Sequence, residues 1–348
     1  PVDRPLNPDA TAQQLTKLSQ QYQRLWLVLY GTNGSDPGGY VEHWLAGRDY
    51  EVLNQWFGNV RLAAFAAPPS QPPAPHAIDA TIGGFAHLSG YSLTPQPVAS
   101  GDVLQLGLKW QAAAPPPGAL KVFTHVIDGE GNIWAQRDSD PVGGARPTST
   151  WKPGDSIDDN YGLLVVPGTP PGQYQVELGM YSAADGKRQP ITAGGAGDRL
   201  LVGEVAVGPP PQPPSVAELR IPHALSADFG PLRLLGYGLT LVGQDTDRTT
   251  FAAGDLAELT LFWEATSPPP SASSYTLQLA GQASFGIQPH NALAQGTLVP
   301  QFPSSNWHAG DRYRDQHRLT LPTDVRGSAD LTLTVDGRTA TLTRLQVR

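Results

Sequence analysis

Residues 99–167 read ASGDVLQLGLKWQAAAPPPGALKVFTHVIDGEGNIWAQRDSDPVGGARPTSTWKPGDSIDDNYGLLVVP, and this stretch decides the fold. Its apolar residues fall in short, largely alternating runs: Val103, Leu104, Leu106, Leu108 and Trp110, then Val122, Phe123, Val126 and Ile127. Pro115-Pro116-Pro117-Gly118, Gly129-Glu130-Gly131-Asn132 and Lys152-Pro153-Gly154 punctuate them. Short alternating strands broken by turn residues at this spacing predict an antiparallel sandwich. The same order returns from Ala252 as AAGDLAELTLFWEATSPPP, and later as SSNWHAGDRYRDQHRLTLP. Gly101 and Gly254 lie 153 positions apart, as do Trp110 and Trp263; Trp151 and Trp307 lie 156 apart, as do Gly154 and Gly310. Upstream, Leu88-Ser89-Gly90-Tyr91 matches Leu234-Leu235-Gly236-Tyr237 at an offset of 146. The change of offset falls around residues 244–250, where a loop lengthens at small entropic cost. A period this long is not that of a solenoid. It predicts a duplicated domain.

The expected fold is therefore mainly β, with two tandem antiparallel sandwiches of Ig-like or jelly-roll-like type. A small α/β segment precedes them at residues 1–66. There Asn7-Pro8-Asp9 signals a helix start, and Leu25-Trp26-Leu27-Val28-Leu29-Tyr30 reads as a strand buried on both faces. A short helix carrying Val41, Trp44 and Leu45 follows, then two strands joined around Gly58-Asn59. So few elements make a thin core, which suggests the tail of a larger domain. Residues 67–80 read as a Pro-rich linker, 81–207 as the first sandwich, 208–217 as a second linker and 218–348 as the second sandwich.

Among 348 residues, 23 Lys and Arg against 31 Asp and Glu leave a formal charge of −8, and no basic cluster exists. That excludes a nucleic-acid or anionic-membrane partner from the expectations. The 38 Gly and 35 Pro fall at turns between apolar runs, which favours all-β architecture over disorder. With no Cys, disulfides and thiolate metal sites are excluded, and export is compatible. No run approaches eighteen apolar residues, so no membrane span is expected in this chain. It begins at Pro1, without Met or a signal peptide, and a fragment or processed form is expected.

Residues 31–39 sit between a strand and a helix, where phosphate loops sit, but they lack the closing Gly-Lys-Ser/Thr and the dinucleotide glycine spacing. Asp36 makes better sense there as a helix cap. Asp128, Glu130 and Asn132 place oxygens at alternate positions, as calcium loops do, yet a hairpin turn explains the same residues and is the favoured reading. Trp134, Trp151, Tyr161 and Tyr181, with Trp307 and Tyr313, offer flat faces for sugar rings if exposed. His125, Arg137, Asp138, Asp158 and Asn160 would supply hydrogen bonds to hydroxyls. The ligand set expected from this is Trp134, His125, Arg137, Asp138 and Trp151, around a hairpin that the second copy replaces with Ala280-Gly281-Gln282-Ala283-Ser284. Trp110 and Trp263 are expected to plug the cores, and packing equally explains why Trp151 and Trp307 recur. No nucleophile or metalloprotease motif is present, and Asp158-Asp159 alternate faces on a strand, so they do not converge on one bond. No catalytic residue, metal or cofactor is assigned.

Arg24-Leu-Trp-Leu-Val-Leu-Tyr30, Asp36-Pro37, Trp44-Leu45 and Trp56-Phe-Gly-Asn-Val-Arg-Leu62 resemble the extracytoplasmic C-terminal region of bacterial dolichyl-phosphate-mannose protein mannosyltransferase-like membrane glycosyltransferases. The blocks Phe123-Thr-His-Val-Ile-Asp128, Ala135-Gln-Arg-Asp138, Pro147-Thr-Ser-Thr-Trp151 and Pro153-Gly-Asp155 resemble the β-sandwich appended to some of them. The resemblance covers most of the chain and rests on packing and turn residues. That family takes sugars from polyprenyl-phosphate donors, using acidic residues in loops of a multi-helix membrane portion that is absent here, so no catalytic residue carries over. It implies a non-catalytic accessory region, periplasmic or at the cell surface, tethered to the membrane portion of its parent. Such a region would position a glycan, a lipid-linked sugar or an acceptor. The alternatives are a free-standing secreted carbohydrate-binding or adhesion protein, and an unrecognised hydrolase.

Overall fold

A computed structural model describes residues 6–31, 34–244, 246–280 and 293–348. The described residues are mainly β and form four sheets. The chain forms two compact units: Pro1–Val98 with Asp102–Val165 and Gln173–Ala206, and Ala99–Gly101 with Val166–Gly172 and Val207–Arg348. Among the described residues no helix is long and apolar enough to cross a membrane.

The chain begins with α1 (Pro8–Gln21), β1 (Arg24–Leu29), α2 (Tyr40–Ala46), β2 (Tyr50–Phe57) and β3 (Val60–Ala66). Next come β4 (Pro75–Ile82), β5 (Ala86–Leu93), β6 (Val98–Ala99), β7 (Val103–Ala112), β8 (Leu120–Ile127) and β9 (Ile133–Ser139). Then follow β10 (Ser156–Leu164), β11 (Gly172–Ser182), β12 (Ile191–Ala193) and β13 (Leu200–Gly208). The second half holds α3 (Val216–Leu219), β14 (His223–Asp228), β15 (Leu232–Leu241), β16 (Thr250–Phe251), β17 (Leu256–Ala265) and β18 (Ser274–Ala280). It ends with β19 (Ala294–Thr297), β20 (Arg312–Thr320), β21 (Gly327–Val335) and β22 (Arg338–Val347).

The strand orders of the two halves correspond. The run β10-β7-β5-β4 in one sheet recurs as β20-β17-β15-β14 in another, and β6-β13-β11-β8-β9 recurs as β16-β22-β21-β18-β19. Register agrees to the residue. Leu88 faces Trp110 and Leu234 faces Trp263, and each pair is followed by a bulge, at Gly90 and Gly236. The Gly236 bulge has φ 155 and brings the backbone so close to His223 that a Cβ would meet its carbonyl oxygen at 2.2 Å. A side chain there would push β14 and β15 apart.

Both tryptophans are wholly buried. Leu234, Trp263, Leu277, Trp307, Leu331 and Leu345 belong to one core drawn from both sheets of the second half. Trp151 and Trp307 are buried as well, and each indole Nε1 donates at 2.9 Å to a carbonyl five residues earlier, Arg146 and Phe302. Beside them, each half holds a valine in the left-handed region, Val142 (φ 55) and Val299 (φ 48). A β-branched side chain is strained there. In both halves a buried aspartate accepts the strained residue's N–H: Asp159 from Val142 at 2.7 Å, and Asp315 from Val299 at 3.3 Å.

Three expectations are corrected. Residues 1–66 are not set apart from the first β half. β1, β3 and β2 continue its sheet in the order β1-β3-β2-β10-β7-β5-β4-β12, because the free edge of β2 pairs in parallel with β10 at Glu51 and Tyr161. The stretch 67–80 is not all linker, since β4 starts at Pro75, where Pro is tolerated as the first residue of a strand. Finally, β1 is an edge strand with one open face, not one buried on both faces. An apolar run carries no mark of which side a neighbouring layer covers.

Candidate functional site

Asp128 sits in the turn of the β8–β9 hairpin. Its Oδ1 accepts the backbone N–H of Glu130 and of Asn132, and its Oδ2 accepts Asn132 Nδ2 and Trp134 Nε1, all at 2.9 Å. Four donors thus occupy the Asp128 carboxylate within the hairpin turn. Among the described residues no group of three or more His, Asp or Glu is placed to hold a metal.

The expected ligand set does not converge. Trp134 is 1% exposed and packs edge-to-face on Tyr174 at 6.0 Å, and Trp151 is buried near Trp110. Neither presents a ring to solvent. Strand alternation separates the other three. Arg137 points inward, its Nη2 2.8 Å from the buried Glu51 Oε2, while His125 and Asp138 come together on the opposite face. Tyr161 is buried too, its hydroxyl donating to Asp159 Oδ2 at 2.6 Å. Asp158 is exposed, 2.7 Å from Lys109 Nζ, and so departs from Asp159 as strand alternation requires. Tyr313 is buried. Gly281 to Ser284, the expected replacement in the second half, lie outside the described residues.

His125 is held on both sides. Nδ1 lies 2.9 Å from Glu177 Oε1 and Nε2 lies 3.2 Å from Asp138 Oδ1. Glu177 also accepts from Arg199 Nη1 at 2.5 Å. Burial alone would lower the imidazole pKa, but the two carboxylates outweigh it and the net shift is upward. Burial likewise opposes ionisation of Glu177, yet His125 and Arg199 bring its pKa below the ordinary range. Burial and the Asp138 carboxylate push the Tyr181 hydroxyl up to about 12. Every charged member of this cluster has a partner within the protein. It is a polar clamp joining β9, β8 and β11.

A more open site lies on the other sheet of the first unit, away from the residues expected from the sequence. A cleft of about 1200 Å³ is lined by the end of α1, the segment after α2, the Pro68–Pro69 stretch and residues 94–105. Its walls include Ser19, Gln20, Tyr22, Gln23, Arg24, Trp44, Arg48, Asp49, Thr94 and Gln105. Asp49 is buried and accepts from Ser19 Oγ at 2.8 Å; burial raises its pKa, against the Ser19 hydrogen bond and Arg48. The Arg48 guanidinium carbon lies over the Trp44 ring, 4.6 Å from its centroid. Asp36, on the loop before α2, accepts the backbone N–H of Tyr40 at 2.7 Å and of Val41 at 3.1 Å, which makes it the expected cap and not a phosphate ligand.

Two sequence signals pointed here. The run Gln20-Gln21-Tyr22-Gln23 at the end of α1 is rich in amides, and alternate residues of β1 place Arg24, Trp26 and Val28 on one face. No family model and no curated protein matches the chain.

Proposed function

We propose that this chain is a non-catalytic, extracytoplasmic accessory region of a membrane-embedded glycosyltransferase. It positions a glycan, a lipid-linked sugar or an acceptor beside the transferase. With it we propose that the two β halves are copies of one antiparallel sandwich, in tandem along the chain. The observation that carries the reading is the cleft. It is wide and open, it holds two Arg and two Asp side chains, and it is walled by amides, hydroxyls, prolines and two aromatic rings. This is the lining of a binding site for a polar, largely uncharged ligand. In agreement, the strongly perturbed buried acid, Asp159, is engaged by three donors of its own fold and not aimed at a cleft. The resemblance of residues 24–62 and 123–155 to the tail of such transferases supplies the location and the partner.

This chain contains no Cys, so any labelling that a cysteine placed in it adds over the unsubstituted protein reports its location. Ser149 is exposed. A Ser149→Cys variant of the complete gene product, expressed in its own host, should react with a membrane-impermeant maleimide in intact cells and stay with the membrane fraction. Labelling only after lysis refutes an extracytoplasmic location. Labelled protein recovered entirely in the medium refutes the tether and favours a free-standing secreted binding protein.

A further inference from the structure

Gln105 is 8% exposed, and its Nε2 donates to the Ala67 carbonyl at 2.8 Å. Gln105 lines the cleft, and its Oε1, closed off from solvent, accepts nothing. A buried acceptor left unpaired costs about 1–3 kcal/mol, so the site favours any ligand that brings a donor to it. Carboxylate and phosphate ligands bring none when ionised, and in the lining Arg24 and Arg48 are balanced by Asp49 and Asp102, which leaves no net charge to select an anion. Hydroxyl-bearing ligands do.

The cleft also continues onto an aromatic surface. Arg24 pairs with Ala66, and both line the cleft; the same face of β1 carries Trp26, opposite Ala64, and Val28, opposite Leu62. Tyr30 extends the row. Trp26 is 59% exposed and Tyr30 67%, which is unusual for rings of this size on a regular sheet. Tyr22, half exposed, stands at the rim. Flat apolar faces beside amides and hydroxyls suit the pyranose ring, which is apolar on its C–H faces and polar at its edge.

From this arrangement we propose, resting on the reading above, that the cleft and the open face of β1 form one groove for a neutral oligosaccharide. Gln105 Oε1 accepts a sugar hydroxyl, Gln20 and Gln23 bond further hydroxyls, and Tyr22 and Trp26 carry the rings. The predicted ligand is uncharged and several residues long, since the cleft exceeds the roughly 300–1,000 Å³ of an ordinary small-molecule site even before the aromatic row is added.

Trp56 provides an internal control. It is 65% exposed but lies on the opposite face, opposite Arg61, which stacks on it at 5.4 Å and pairs with Glu42 of α2. The test is calorimetric titration of the full chain with mannotetraose, cellotetraose and N-acetylchitotetraose, each at low and high salt. At least one should bind saturably, with an affinity insensitive to salt. Trp26→Ala and Gln105→Leu should each weaken that binding about tenfold, the equivalent of one lost stacking or hydrogen-bonding contact, while Trp56→Ala changes it less than about twofold. Trp26 is exposed, so its variant folds even if Gln105→Leu does not. Absence of saturable binding by all three sugars overturns the proposal without touching the location measured by labelling. Binding that survives Trp26→Ala moves the glycan site elsewhere and also overturns it. So does a change of oligomeric state on Trp26→Ala in sedimentation, which would assign the row to a protein interface.

Discussion

Replacing Asp159 with Ala should destabilise the first unit by an amount that falls as pH rises. The carboxylate is 1% exposed and accepts Val142 N–H at 2.7 Å, Tyr161 Oη–H at 2.6 Å and Trp110 Nε1–H at 3.2 Å. Tyr161 has a second partner in Ser139, so the variant leaves two donors, on Val142 and Trp110, without this acceptor. At about 1–3 kcal/mol for each, the loss is about 4 kcal/mol, with the strained Val142 conformation released in addition. Against this stands the burial of the carboxylate, which is the main reason its pKa is pushed from 3.8 up to about 6, with Glu51 nearby adding to it. The folded state therefore prefers the protonated acid. The stability this contributes is complete below pH 3.8 and is lost as pH rises through about 6, a difference worth roughly 3 kcal/mol. The alanine variant has no such dependence. Its deficit relative to the parent should be about 4 kcal/mol near pH 4.5 and should shrink by roughly 2–3 kcal/mol near pH 7.5. Urea unfolding of both proteins at a series of pH values, followed by tryptophan fluorescence, measures the difference directly. A deficit that is constant, or that grows with pH, refutes the assignment of Asp159 as a desolvated acid.

Trp110→Phe should cost about 1–2 kcal/mol more than Trp263→Phe, because Trp110 loses its bond to Asp159 while the buried Trp263 Nε1 has no partner to lose; equal costs in denaturant melts contradict this. Truncation of either to Ala should cost about 3–5 kcal/mol, and a loss under a kilocalorie would place the ring at the surface. His125 should titrate above its ordinary value by proton NMR, and the stability it lends through Glu177 and Asp138 should be present at low pH and vanish as pH passes that raised value. A His125 pKa below the ordinary value would mean that burial outweighs the two carboxylates. Asp128→Ala should destabilise the hairpin by about 2–4 kcal/mol, whereas millimolar calcium or a chelator should leave the parent's melting temperature unchanged. A calcium-dependent rise would restore the cation-site reading.

The correspondence of strand order between the halves was legible because both carry residues that packing and backbone geometry require. Trp110 and Trp263 and the Gly90 and Gly236 bulges occupy matching strand positions, and Trp151 and Trp307 each close a short 3-10 turn with the same indole bond. Pro75-His76-Ala77, repeated as Pro222-His223-Ala224, carried the same message, but the prolines of residues 68–75 hid it inside what reads as a linker. In both halves that histidine stacks on a tyrosine across the strand pair, at 4.9 Å on Tyr91 and 4.8 Å on Tyr237. The union of β2 with β10 left no local trace, since a parallel pairing between distant segments has no turn to announce it. The expected ligand set fails to converge for a related reason. Trp134 and Trp26 look alike in sequence, and only the layers around them make one a core residue and the other a surface ring. The unpaired Gln105 Oε1 belongs to tertiary structure alone.

The location of the groove is best tested by amide chemical-shift mapping of the full chain during titration with mannotetraose, cellotetraose and N-acetylchitotetraose. The account predicts saturable shifts for at least one of them, concentrated in residues 19–30, 66–70 and 94–105 and including the Trp26 indole, with the hairpin at 125–138 unmoved. Shifts centred on that hairpin, or no saturable shift with any of the three, would contradict it.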